Sequence, residues 1–261
     1  MLPKSPFQRE ASLPRGGRLA AVLALLCSGL SCTPAAEPPR LVLWAWERPE
    51  DLRFLATQAK GRPADVAALL ATLELTDTDV LVQPRRQPLL LPPGVGLSVT
   101  VRLEMRRGAS LARFTPERLR GVAEHLATLA RRPEATALQL DFDARESEYA
   151  AYVALLQETR RLLPPPMRLS ITGLASWCTS GSWLERAPVD EVVPQLFRMG
   201  PDAPTWRARF ARGLPPPCTG SVGLALDEWQ AVPPGVSTLY LFSPRPWTPD
   251  ALTQAVAGMK P

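Results

Sequence analysis

Residues 137–153, ALQLDFDARESEYAAYV, set Asp141 and Asp143 two positions apart at the end of an apolar run, with Glu146 and Glu148 just behind. Alternation assigns Leu138, Leu140 and Phe142 to one face of a strand and Gln139, Asp141 and Asp143 to the other. Two residues of strand rise separate the Asp side chains by on the order of 6 to 7 Å, so each charge raises the other's proton affinity. Interior carboxylates are costly unless they are hydrogen-bonded, paired with a cation or used on a ligand. Arg102 and Arg198 are the candidate cations. Two outcomes follow from these residues: an ionic network that orders the fold, or a site for acid–base chemistry.

Two carboxylates about 5 to 9 Å apart can flank and cleave a glycosidic bond. Glu104 ends an earlier strand candidate on the same face as Arg102, which makes it the preferred partner of Asp143. Asp141 would tune that pair, Asp227 ends a later strand, and Glu47 is the fallback. Trp44, Trp46, Trp177 and Trp247 lie at or beyond strand ends, where flat rings can stack on sugar faces. Tryptophan also fills cores, so the shared location of the four carries the point rather than any one of them. Gln195, Arg102 and Arg198 would supply polar contacts to a substrate.

These residues need a scaffold, and the hydrophobic pattern supplies one. Runs such as LVLWAWE, VGLSVTVRLEM, MRLSITGLASW, VDEVVPQLFRM, SVGLALDEW and VSTLYLFS read as strands, and DVAALLATLEL and TDVLVQPR as two more joined by a turn at 76–78. A helix starts at Thr115, a capping residue followed by Pro116, with Phe114 and Leu119 at the spacing of a hydrophobic staple. Leu119, Val122, Leu126 and Leu129 form its apolar stripe. Ser147 is read as the cap of the next helix, and Thr248-Pro249-Asp250 repeats the first start near the C-terminus. Strands alternating with helices imply a parallel sheet. About eight strands predict a (β/α)8 TIM-barrel-like α/β fold, irregular around the second and third strands, where no convincing helix intervenes. An open doubly wound sheet is the alternative, but no glycine-rich turn follows the first strand.

The chain of 261 residues is 46% hydrophobic and 21% charged, a globular composition. Its net charge of +5 is concentrated at the start, where Lys4, Arg9, Arg15 and Arg18 face only Glu10. Without residues 1–31 the chain keeps 26 basic and 24 acidic residues and no long basic run, so nucleic acid is not expected as a partner. The basic start and the short apolar stretch at 19–26 suit a secretory signal. Gly29-Leu30-Ser31-Cys32 resembles a bacterial lipobox, which implies lipidation of Cys32; cleavage without lipid is the alternative. The expected division is a signal peptide at 1–31, a Pro-rich tether at 32–39 and one barrel domain at 40–261. Cys178 and Cys218 then remain as an even pair in a compartment where a disulfide persists, or as two buried thiols.

His125 is the only histidine and lies in a helix, which argues against a Ser-His-Asp triad or a histidine zinc site. No phosphate-cradling glycine motif occurs. No metal and no cofactor are expected.

LQLDFDA, LSITGLASWC, VDEVVPQLFRMG and WAWERPEDLRFL resemble an exported bacterial family, the domain of unknown function 3142, over most of the chain beyond the signal. That resemblance implies export and a glycosidase-type barrel, without naming a reaction. A more distant similarity is to chitinase-type barrels, whose fourth strand ends Asp-x-x-Asp-x-Asp-x-Glu. Aligned on Asp141 and Asp143, this chain has Leu138 at the first Asp and Arg145 at the acid, with Glu146 one residue late. The expectation is a monomeric, lipid-anchored protein of the bacterial cell envelope, in the periplasm or outer membrane, that binds and in the stronger form hydrolyses a carbohydrate. The alternative is a non-catalytic glycan-binding or envelope-assembly module that has lost the acid.

Overall fold

The computed structural model describes residues 37–58, 64–180 and 182–259. Cys32 and the signal and lipobox residues lie outside them. Eight parallel strands form a closed ring: β1 (Arg40–Ala45), β2 (Ala64–Leu75), β3 (Leu97–Met105), β4 (Ala135–Asp141), β5 (Arg168–Leu174), β6 (Glu191–Gln195), β7 (Ser221–Ala225) and β8 (Thr238–Phe242). Each pairs with its neighbours in chain order, and β1 closes the ring by pairing with both β8 and β2. The expected (β/α)8 barrel is therefore present.

The irregularity falls where it was expected. Between β2 and β3 the chain forms a strand, Val80–Pro84, antiparallel to the upper half of β2. β1 pairs with β2 only as far as Ala68, while β2 follows β3 up to Leu75, so the tops of β1 and β2 part. Arg85 fills the seam. Its guanidinium donates to the carbonyls of Trp46 (2.7 Å), Leu69 (3.1 Å) and Ala45 (3.2 Å), and also to that of Arg48. The Trp46 carbonyl also accepts from the Arg48 amide at 2.8 Å, and the guanidinium adds a donor to each of these oxygens where the strands diverge.

Among the described residues, four helices of two turns or more cover the outside: α1 (Pro116–Ala130), α2 (Tyr149–Leu162), α3 (Ala203–Phe210) and α4 (Pro249–Gly258). α1 and α4 begin as read from sequence, with the hydroxyls of Thr115 and Thr248 accepting from the amides of Arg118 and Ala251. α2 does not begin at a Ser147 cap. A 3-10 turn at Glu146–Glu148 precedes it, and the Glu148 carboxylate accepts from the Arg145 amide at 3.0 Å. Glu148 also accepts from the Leu111 amide and the Ser110 hydroxyl, both at 2.9 Å. A buried carboxylate with three donors is a stronger fastening than a serine hydroxyl. The segment after β5 is joined to the approach to β7 by a Cys178–Cys218 disulfide, with 5.6 Å between the Cα atoms.

Leu138, Leu140 and Phe142 join the main core between strands and helices. The barrel interior is a separate, smaller cluster of Val42, Trp44, Ala67, Val193 and Tyr240 with polar groups around it. The Trp44 indole donates to Oε1 of Gln139 at 2.8 Å, and Gln139 in turn donates to Ser170 at 3.3 Å. Gly223 makes this possible: a Cβ there would lie 2.5 Å from the far edge of the Trp44 ring.

Candidate functional site

The site lies at the C-terminal ends of the strands, the face that a barrel leaves free for loops. A cleft of about 530 Å³ opens there, lined by Trp44, Trp46, Arg102, Asp141, Asp143, Gln195, Arg198 and the 174–176 segment. Phe197, Met199, Asp202, Trp206 and Phe242 complete the wall. A smaller cavity of about 270 Å³ adjoins it and shares Arg102, Asp141 and Asp143, with Glu104, Arg145 and Glu148 on its far side.

Asp141 ends β4 with its side chain turned inward and only 10% exposed. Its Oδ1 accepts from the Thr172 hydroxyl at 2.7 Å, and Oδ2 lies 3.5 Å from Nη1 of Arg102. Burial pushes its carboxyl above the ordinary carboxylate range. The Thr172 hydrogen bond and Arg102 oppose that rise, and the charges of Asp143 and Glu104 add to it. Asp143, two residues on, is exposed at the mouth. The pair thus comprises one carboxyl that holds its proton more tightly and one that solvent and a ligand can reach.

Glu104 does not face Asp143 across the main cleft. Its carboxylate is 2.7 Å from Nε of Arg102, half exposed in the smaller cavity, because Arg102 lies between the β3 and β4 carboxylates and neutralises both. Glu146 is exposed on the 3-10 turn and lines neither cavity. Arg145, in the place of the chitinase-type acid, is exposed and borders only the smaller cavity.

The four tryptophans separate. Trp44 forms the floor of the cleft and Trp46 its wall. Trp177 is buried against Tyr149 and Trp183, outside the barrel ring. Trp247 is buried with its indole donating to the Trp44 carbonyl at 2.9 Å. Both belong to the main core. Asp227 is exposed on a 3-10 turn and Glu47 is exposed after β1, and neither lines the cleft.

The aromatic wall comes instead from residues that sequence reasoning passed over. Phe197 and Phe242 stack with centroids 5.6 Å apart, and Trp46 meets Phe242 edge-on at 6.4 Å. Trp206 reaches the cleft from α3. Phe242 was findable from its place at the inward end of β8, whereas Trp206 depends on where a helix docks. Arg198 stands out on its backbone: its φ of 53° is the only left-handed value of a non-glycine residue among the described residues. Its amide donates to Glu228 at 3.0 Å, and its guanidinium lies 5.2 Å from the Phe242 centroid. No three His, Cys, Asp or Glu side chains among the described residues are grouped to share a metal ion.

No family model matches the chain, and comparison with curated proteins returns no match. The resemblance to the domain of unknown function 3142 proteins therefore has no matching family model behind it. Among solved structures the chain is similar to the chitinase domain of the spore coat protein CotE from Clostridium difficile, at 16% identity and a TM-score of 0.40. The match covers 64% of this chain and 51% of that one, so this chain spans about half the length of that structure. On its own strand pairing the chain is a TIM barrel of the (β/α)8 kind.

Proposed function

We propose that the cleft binds a carbohydrate. The observation that carries this is the combination in one cleft of the half-buried aromatic rings of Trp46 and Trp206 with the reachable carboxylate of Asp143. Sugar rings stack on such faces through their C–H groups while their hydroxyls donate to carboxylates and amides, here Asp143 and Gln195. Titration with an oligosaccharide panel, read by tryptophan fluorescence and calorimetry, tests it. Binding should weaken in Trp46→Ala and Trp206→Ala with the fold intact. Failure of every oligosaccharide to bind would remove the proposal.

Hydrolysis is a second proposal, favoured by the raised proton affinity of Asp141. A carboxyl that keeps its proton is the form a general acid requires. Asp141 would hold that proton towards the cleft, and Asp143 at the mouth would position the substrate beside it. Glu104, the expected second carboxylate, is tied to Arg102 and does not take that role. Release of reducing sugar that disappears in Asp143→Asn would establish turnover.

The protein is further proposed to be exported and held to the cell envelope by lipid on Cys32. The Cys178–Cys218 disulfide supports an oxidising compartment. Incorporation of labelled fatty acid, lost in Cys32→Ala, is the test.

A further inference from the structure

We infer that Arg198 is the anchor for a carboxylate on the bound sugar, which makes the ligand a uronate-containing glycan. The inference rests on the carbohydrate proposal and adds the chemical class. Among the described residues two cations line the cleft, Arg102 and Arg198. Arg102 is occupied by Glu104 and Asp141. Arg198 forms no ion pair with any described carboxylate; its backbone amide, not its side chain, meets Glu228.

The guanidinium is nonetheless placed. It lies over the Phe242 ring on the cleft wall, 5.2 Å from the centroid. The residue is exposed and its guanidinium has no ion-pair partner among the described carboxylates, so its N–H fork is available to match a planar carboxylate bidentately. The backbone points the same way. At φ 53° glycine or asparagine would sit with less strain than arginine. Residues kept in such conformations cluster at ligand sites, where their side chain repays the strain.

Asp143 and Asp202 line the same cleft. They repel an anion brought close to them, so an acidic sugar is accepted in the orientation that puts its carboxylate on Arg198. The cleft would thereby read both the charge and the direction of the chain.

The experiment compares uronate oligosaccharides with their carboxyl-reduced counterparts and with sulfated neutral sugars, using wild type, Arg198→Gly and Arg198→Lys. Glycine accepts the left-handed backbone, so Arg198→Gly should melt no lower than wild type, and a change in its binding is then not a folding defect. For wild type, at least one uronate oligosaccharide should bind about tenfold tighter than its reduced counterpart. That ratio should fall to within about twofold in Arg198→Gly and be partly kept in Arg198→Lys, which retains charge without the fork. Reduced and acidic sugars binding equally well to wild type would overturn the uronate inference while leaving the carbohydrate proposal standing. An acidic preference that survives in Arg198→Gly, or a stronger preference for sulfate esters, would also overturn it. Binding of neither kind of sugar would remove both.

Discussion

Thr172, inward on β5, gives its hydroxyl to Oδ1 of Asp141 at 2.7 Å, and Asp141 is the inward residue that ends β4. This bond and the Arg102 contact hold a carboxyl that burial drives towards protonation.

The sign of its pH dependence follows. With the folded pKa above the unfolded one, the folded state takes up the proton first as pH falls. Asp141 therefore lends the fold more stability at low pH, and that contribution is lost as pH rises through the folded pKa. Asp141→Asn keeps an acceptor for Thr172 and removes the charge. Its melting temperature should equal or exceed that of wild type at pH 7, and the difference should shrink on acidification towards pH 4. A difference that grows on acidification would show the opposite shift.

Gly223→Ala should destabilise the barrel by about 1 to 3 kcal/mol, the usual cost of overpacking. The added Cβ meets the Trp44 ring at 2.5 Å, and the indole cannot swing away without breaking its bond to Gln139. Chemical denaturation measures the loss. Trp44 is also the cleft floor, so its fluorescence should shift in the same variant.

Arg85→Met should cost about 3 kcal/mol, in the range of hydrogen bonds made by charged donors, because the carbonyls of Ala45, Trp46 and Leu69 lose the guanidinium, the Trp46 carbonyl keeping the Arg48 amide. Desolvation already lowers the pKa of this guanidinium. Since Trp46 is fixed through its carbonyl, hydrogen exchange should rise in residues 45–48 more than in α1.

Opening the Cys178–Cys218 link, which spans 40 residues, should cost about 4 kcal/mol on a chain-entropy account. The double serine variant, compared with oxidised wild type in urea, tests this. The same treatment with reductant should leave the double variant unchanged.

The sequence by itself determined the barrel, the inward direction of Asp141, the caps of α1 and α4, and the break in the helix pattern between β2 and β3. These are local: alternation, capping residues and turn residues act within a few positions. It did not determine which strand-end residues reach the cleft. Trp177 and Trp247 occupy positions much like that of Trp46, yet both are buried, Trp177 against Tyr149 and Trp183 and Trp247 with its indole on the Trp44 carbonyl. Glu104 has the type and face of a second catalytic carboxylate, and only the three-dimensional distance of 2.7 Å shows that Arg102 holds it. Glu148, one of the acidic residues after the strand, is a buried fastener that accepts from the Leu111 amide 37 positions away. Trp206, Arg85 and Arg198 owe their roles to where helices dock, where strands part and which backbone angles the loops adopt. Those are properties of long-range packing, in which the partner of each group lies far along the chain.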